Sequence, residues 1–565
     1  MSKRFRACET CHTLKIKCEA STTDPTICGR CAKSGAECFP AARRWQRDRI
    51  AELEEKIKDL QEKLQEVGPS TRDNSTHGTS TRETSAPSAE EQGPSTTPPS
   101  TLTMPIPNEL ALLDAQVSPQ IQLKCLGASA IAINPFWSVI PVPEDQSTDS
   151  SLAMLRAERP ISLLAIVAYT VSHEEAKISA QAQDYLRRKV LERLGLVAIG
   201  LQPPSHDFAL AALIVSLWNR PSVNDTHGNS FHLVELARSM CVDMGFGGPE
   251  FQSSPAAWFF RVPGPLSLPM RQTWLMSCVA STFAAISTRR KPVIEWGQSH
   301  YEAVRVWEKD DTADAHFLEI LYIAALHSKV VDDLDLCDLR TVHDIDSETV
   351  KMVQHETSIR LEQLRHRPLA HDLQLQFWRA LTVIYINEPV LHTQTNKVLF
   401  SSPYIAAKIG ATDFACPTQV TESARTAILS MVETCHLVID LVQQMDPKLI
   451  LSMPSLCFAS GLTYSFSILI KIFIATSAPG NTYGRILGGA RLNLRPAMES
   501  MKAIKNSLLT VDPHMSTWTT RLVGSVEWLG AWLADYEAIL IRYEHNLERT
   551  SADRAIEGLS PNGAF

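Results

Sequence analysis

Residues 8–38 read CETCHTLKIKCEASTTDPTICGRCAKSGAEC, with cysteines at Cys8, Cys11, Cys18, Cys28, Cys31 and Cys38. The spacing is C-x2-C-x6-C-x9-C-x2-C-x6-C, one unit used twice across a nine-residue spacer. Two thiolates flanking two residues can close on one tetrahedral metal, the common habit of zinc ligands. Six sulfurs fill the eight positions of two tetrahedral zincs only if two of them bridge both metals. Six thiolates against two Zn²⁺ leave a net −2 for neighbouring Lys and Arg to offset. Three disulfides of a secreted module are the competing reading, but the stretch before Cys8, MSKRFRA, is charged and unlike a signal peptide. A thioredoxin-like pair would need a βαβ context that the sequence does not supply.

Outward from this stretch the charge is uneven. Residues 1–50 hold eleven Lys/Arg against five Asp/Glu, a formal +6, so the other 515 residues carry −14 of the chain's −8 total. A basic head on an acidic body fits a local contact with nucleic acid, the body staying off the phosphates. At 565 residues the chain is too long for one core, and 44% apolar residues is a globular composition. The remaining cysteines (Cys125, Cys241, Cys278, Cys337, Cys416, Cys435 and Cys457) have no ligand spacing and read as buried thiols.

After the cysteines, FPAARRWQRDR (residues 39–49) is a basic linker whose Arg43 and Arg44 are placed to meet phosphate. Ile50, Ile57 and Leu64 then lie seven apart, as do Leu53, Leu60 and Val67. Isoleucine at a and leucine at d favour a parallel two-stranded coiled coil over a single helix docked on the body. Gly68-Pro69 ends it, and fourteen of the 33 residues from Gly68 to Ser100 are Ser or Thr. Such a segment buries too little to fold and reads as a disordered tether.

From about Met104 the period is helical throughout. In residues 421–445, Ala424, Ile428, Met431, Cys435, Val438 and Val442 form one apolar stripe that Pro447 stops. Similar stripes run through 174–196, 206–219, 229–244, 268–288, 314–330, 370–388, 454–476, 490–510 and 515–545. The most apolar run, Pro454–Ile470, holds five Ser/Thr and a glycine and reads as a core helix, not a membrane span. The division that follows is 1–49 for the cysteine module and linker, 50–67 for the coiled coil, 68–103 for the tether, 104–550 for an all-α body and 551–565 for a flexible tail. The fold class is mainly α.

The cysteine pattern resembles the Zn2Cys6 binuclear cluster domain of fungal transcription factors. The resemblance implies two zinc ions per chain, bridged by Cys8 and Cys28, with Cys11 and Cys18 completing one site and Cys31 and Cys38 the other. It also implies that Lys15 reads a CCG triplet in the major groove of double-stranded DNA and Lys17 serves phosphate. A lysine can donate to guanine O6 and N7, which lie opposite those cytosines. His12 stands where the family has arginine, which alters one backbone contact. Two further stretches, SFHLVELARSMCVDMGFG (230–247) and RQTWLMSCVASTFAAISTRRKP (271–292), resemble the family's regulatory, or middle homology, domain. The resemblance therefore implies a nuclear regulator of RNA polymerase II genes, homodimeric through 50–67, serving a metabolic or biosynthetic gene cluster. It leaves open a coactivator or a small-molecule effector as a further partner. The alternative is a zinc-cluster interaction protein without productive DNA binding.

No catalytic motif competes: G-x-S-x-G, the Walker loop, G-x-G-x-x-G and H-E-x-x-H are all missing from the sequence, and the expectation is that the protein is not an enzyme. His366 and His371 read as polar residues at a helix junction, and Gly484, Gly488 and Gly489 as a loop between helices. The acidic run 331–346, VDDLDLCDLRTVHDID, reads as a solvated loop ahead of an activation segment.

Overall fold

In a computed structural model the chain divides into two compact units, Met1–Thr101 and Leu102–Phe565. The structure describes Cys28 and Cys31 in the first unit; in the second it describes 109–137, 148–221, 230–247, 267–309, 314–394, 396–400, 420–477, 482–487 and 492–557. The coiled-coil, tether and linker expectations (39–103) lie outside these residues.

Among the described residues the second unit is helical, with no β-strand. In chain order the helices are α1 (Glu109–Asp114), α2 (Pro119–Trp137), α3 (Thr148–Glu158), α4 (Pro160–Tyr169), α5 (His173–Ala176), α6 (Ala180–Ala198) and α7 (His206–Leu217). They continue with α8 (Ser230–Asp243), α9 (Leu268–Ser287), α10 (Gln298–Glu308), α11 (Ala315–Asp333), α12 (Glu348–Arg365) and α13 (Leu373–Asn387). The last are α14 (Glu422–Gln444), α15 (Pro447–Ser452), α16 (Ser455–Ser477), α17 (Leu494–Val511), α18 (Trp518–Gly524) and α19 (Val526–Glu557).

Local chemistry sets many of these starts. Ser179, Ser205, Asp314, Ser347, Asp372 and Thr421 each take an extended backbone and accept a hydrogen bond from a first-turn N–H, satisfying donors the helix cannot. The stripe at 421–445 becomes α14. Pro447 does not simply stop it: Asp446 caps a new helix, α15, whose first residue is that proline. Two expected stripes are interrupted. Lys177, at φ +53°, and the cap Ser179 separate α5 from α6. Asp512 accepts from Ser516 N, Thr517 N and the Thr520 hydroxyl, folding 512–517 into a turn so that α18 begins only at Trp518. Ser525 then divides α18 from α19.

The expected tail at 551–565 starts later than the sequence indicated, since α19 continues through Glu557. The acidic run also departs from a solvated loop. Val331, Leu334 and Leu336 are buried, and the Lys397 ammonium donates to the carbonyls of Asp335 (2.7 Å) and Thr341, pinning the run to the body.

The core centres on α16, which packs on α14, α18 and α9, while α13 lies against α14 and α7 against both α4 and α8. α16 is long and apolar enough to cross a membrane, yet 94% of its most apolar window is buried within the protein, as a core helix requires. The approach of α16 to α13 is close. A Cβ built on Gly461 would stand 2.7 Å from Leu381 Cδ1 and 3.0 Å from Phe377 Cζ, which explains a glycine in a core helix. Gly484, in a 3₁₀ turn at Thr482–Arg485, faces the Thr476 carbonyl at 2.7 Å from the same construction; this is close packing, with no phosphate cradle. Cys125, Cys241, Cys278, Cys435 and Cys457 are buried and Cys337 is partly buried, while Cys416 lies outside the described residues.

Candidate metal centre and nucleic-acid interface

Of the sequence-predicted ligands, the structure places Cys28 and Cys31. Both are buried, at 0% and 2% exposure, and the Cys31 N–H donates to Cys28 Sγ at 3.4 Å. Two intervening residues bring the fourth position's amide back over the first sulfur. A sulfur so placed accepts the N–H best as a thiolate, the form a metal needs. Soft, buried, amide-bonded sulfurs fit zinc. Cys8, Cys11, Cys18 and Cys38, together with His12, Lys15, Lys17, Arg43 and Arg44, lie outside the described residues.

Residues 6–48 match the family described as the fungal Zn(2)-Cys(6) binuclear cluster domain. The match marks a zinc-cluster DNA-binding domain in this chain and supports reading it as a transcription regulator of the fungal zinc-cluster type. Its cluster domain takes two zinc ions, and that domain is a DNA-binding one, not a catalytic one. Bound zinc supplies the cross-links that a module this short cannot obtain from a hydrophobic core. Factors of this type are generally nuclear. Comparison of the regulator with curated proteins and with solved structures gave no match.

The body of the regulator contains a charged cluster that the sequence did not signal. Glu388, at the end of α13, is fully buried and accepts from Arg289 Nη2 and from the Tyr464 hydroxyl, while its other oxygen lies 2.8 Å from His392 Nε2. Burial would raise the Glu388 pKa, but the Arg289 charge and the His392 and Tyr464 hydrogen bonds outweigh it and hold the carboxyl well below its ordinary value. Burial pushes the His392 pKa down. Lys471, fully buried on α16, is lowered to about 7, again by burial. Arg289 reaches Glu388 from a left-handed backbone, φ +52°, just past the end of α9. Because the Arg289 and Glu388 side chains are only 1% and 0% exposed, the cluster ties α9, α13 and α16 together and presents no reactive group to solvent.

His366 and His371 are both exposed, and His366 Nε2 lies 3.2 Å from Glu362 Oε1. Among the described residues no group of three or more His, Cys, Asp or Glu is arranged to hold a metal ion. The segments 230–247 and 271–292 supply α8 and most of α9, which pack on one another.

Proposed function

We propose that the regulator reads paired CCG-type half-sites as a homodimer in the nucleus, controlling RNA polymerase II genes of a metabolic or biosynthetic cluster. The observation that carries this reading is the six-cysteine spacing, which lies wholly inside the matched residues 6–48. Cys8 and Cys28 bridge the two zincs, Cys11 and Cys18 complete one site, and Cys31 and Cys38 the other. Lys15 donates to guanine in the major groove. Lys17, His12, Arg43 and Arg44 meet phosphate, which sets register without reading sequence. Residues 50–67 pair two chains, because their Ile and Leu repeat every seven. The helical body, 104–550, carries regulation, a reading supported by the resemblance of 230–247 and 271–292 to a regulatory domain.

The test is a titration of the zinc-loaded full chain against duplexes carrying paired CCG triplets in inverted, everted and direct orientation, at one salt concentration. One orientation should bind best, and Lys15→Ala should weaken that complex by about 1–3 kcal/mol and relax its sequence preference. Equal affinity for every orientation, unchanged in Lys15→Ala, would instead indicate the interaction-protein alternative.

A further inference from the structure

A pocket of about 370 Å³ lies between α16, α18 and α19 on one side and the start of α8 and the end of α9 on the other. That volume falls in the range of small-molecule sites. Most of its wall is apolar, with Phe231, Trp518 and Trp528 supplying aromatic faces. α16 interrupts that wall with hydroxyls spaced three and four apart, Ser460, Thr463 and Ser467, which share one face of the helix.

The three hydroxyls are not equivalent. Ser460 donates to Ser287 Oγ at 2.8 Å and Thr463 to the Ala459 carbonyl at 2.9 Å, so both offer lone pairs to the pocket. Ser467 is only 2% exposed and lines the pocket, yet its hydroxyl makes no hydrogen bond to any described residue. A serine within a helix ordinarily bonds back to the carbonyl one turn earlier, and Ser465 does so to Gly461 at 2.9 Å. The Ser467 hydroxyl is thus free to face the pocket it lines, where a ligand group able to donate and accept would pair with it. At the mouth the exposed Arg290 guanidinium lies 4.6 Å from the Phe231 ring centroid, adding donors beside an aromatic face.

We propose that this pocket binds a flat aromatic molecule carrying hydroxyl groups on one edge. Its rings lie against Phe231, Trp518 and Trp528, and its hydroxyls meet Ser460, Thr463 and Ser467. A fully apolar ligand would leave Ser467 without a partner. A highly charged one would meet a single charged side chain, Arg290, among the pocket's lining residues. The site belongs to the body alone and does not depend on the DNA-binding reading.

The experiment is calorimetric titration of the zinc-loaded full chain with quercetin and with flavone, the same ring system without hydroxyls, in a non-ionic detergent that disperses aggregates. One quercetin should bind per chain, at least about tenfold tighter than flavone. Ser467→Ala, a change of one oxygen that the core tolerates, should lower quercetin affinity about threefold or more and leave flavone unchanged. Trp528→Ala, at a side chain 50% exposed and so outside the core, should weaken both. Lys15→Ala should change neither, which separates failure here from failure of the DNA-binding reading. Absence of saturable quercetin binding would overturn the proposal. So would equal affinity for the two molecules, or quercetin binding that neither Ser467→Ala nor Trp528→Ala alters.

Discussion

Arg289 and Glu388 are ninety-nine positions apart in the chain, yet they share a hydrogen bond with side chains 1% and 0% exposed. The pair closes the end of α9 onto the end of α13, and Tyr464 of α16 donates to the same carboxylate. Removing one partner strands the other charge in the core. Arg289→Met or Glu388→Gln should each cost about 3–5 kcal/mol in urea unfolding of the body, and the double replacement less than the sum. Additive losses would show that the two residues act separately.

Lys471 gives the stability of the body a pH dependence whose sign is fixed. Its ordinary value is 10.5 and its folded value is about 7. Between those values the unfolded chain binds the proton and the folded chain does not, so stability should rise with pH across that window. Lys471→Met should flatten the rise. On the acid side, Glu388 is held below its ordinary 4.5, so its contribution is complete above that value and is lost as pH falls through the lower, folded one. Urea midpoints measured from pH 3 to pH 10 test both limbs, and a wild-type curve flat above pH 7 would contradict the first.

Packing at Gly461 makes a third prediction. A Cβ there would collide with Leu381 and Phe377, so Gly461→Ala should destabilise by about 1–3 kcal/mol, although alanine is the better helix former. Gly195, on α6, has nothing within 4 Å of the same construction, and Gly195→Ala should stabilise by about 0.5–1 kcal/mol. Thermal unfolding of the two variants compares them directly.

These contrasts mark what a sequence can reveal. Zinc ligand spacing is local, so the order of six cysteines across residues 8–38 was readable without knowing any distant contact. The stripe of α14 was readable for the same reason, since one buried face repeats along the helix. α4 was missed because every residue from Ile161 to Tyr169 is buried, leaving no polar face to reveal a period. α12 does carry a stripe through Val350, Val353, Leu361 and Leu364, but its strongly polar remainder obscured it. The Arg289–Glu388–Tyr464 contact has no local signature at all; it exists only once three separated helices are packed. The same is true of the pocket that Ser460, Thr463 and Ser467 line, which exists only once α16, α18, α19, α8 and α9 come together.

Thiol reactivity tests the assigned ligand set. Burial pushes Cys125 up to about 11 and Cys241 up to about 12, so neither should react with iodoacetamide at pH 8 in the folded protein. Chelation should release two zinc ions per chain and add six alkylated cysteines, all within residues 8–38, while far-UV dichroism of the helical body is unchanged. Mass spectrometry that located the new adducts elsewhere would refute the ligand assignment.

The central claim is zinc-dependent, sequence-specific DNA binding. Its most direct measurement is an anisotropy titration of the full chain against a paired-CCG duplex and a scrambled duplex of equal length, with and without chelator. The paired site should bind about 100-fold tighter or more than the scrambled one, since several base contacts are lost together, and chelator should abolish the difference. Equal affinity for both duplexes, or a preference that survives removal of zinc, would contradict the account.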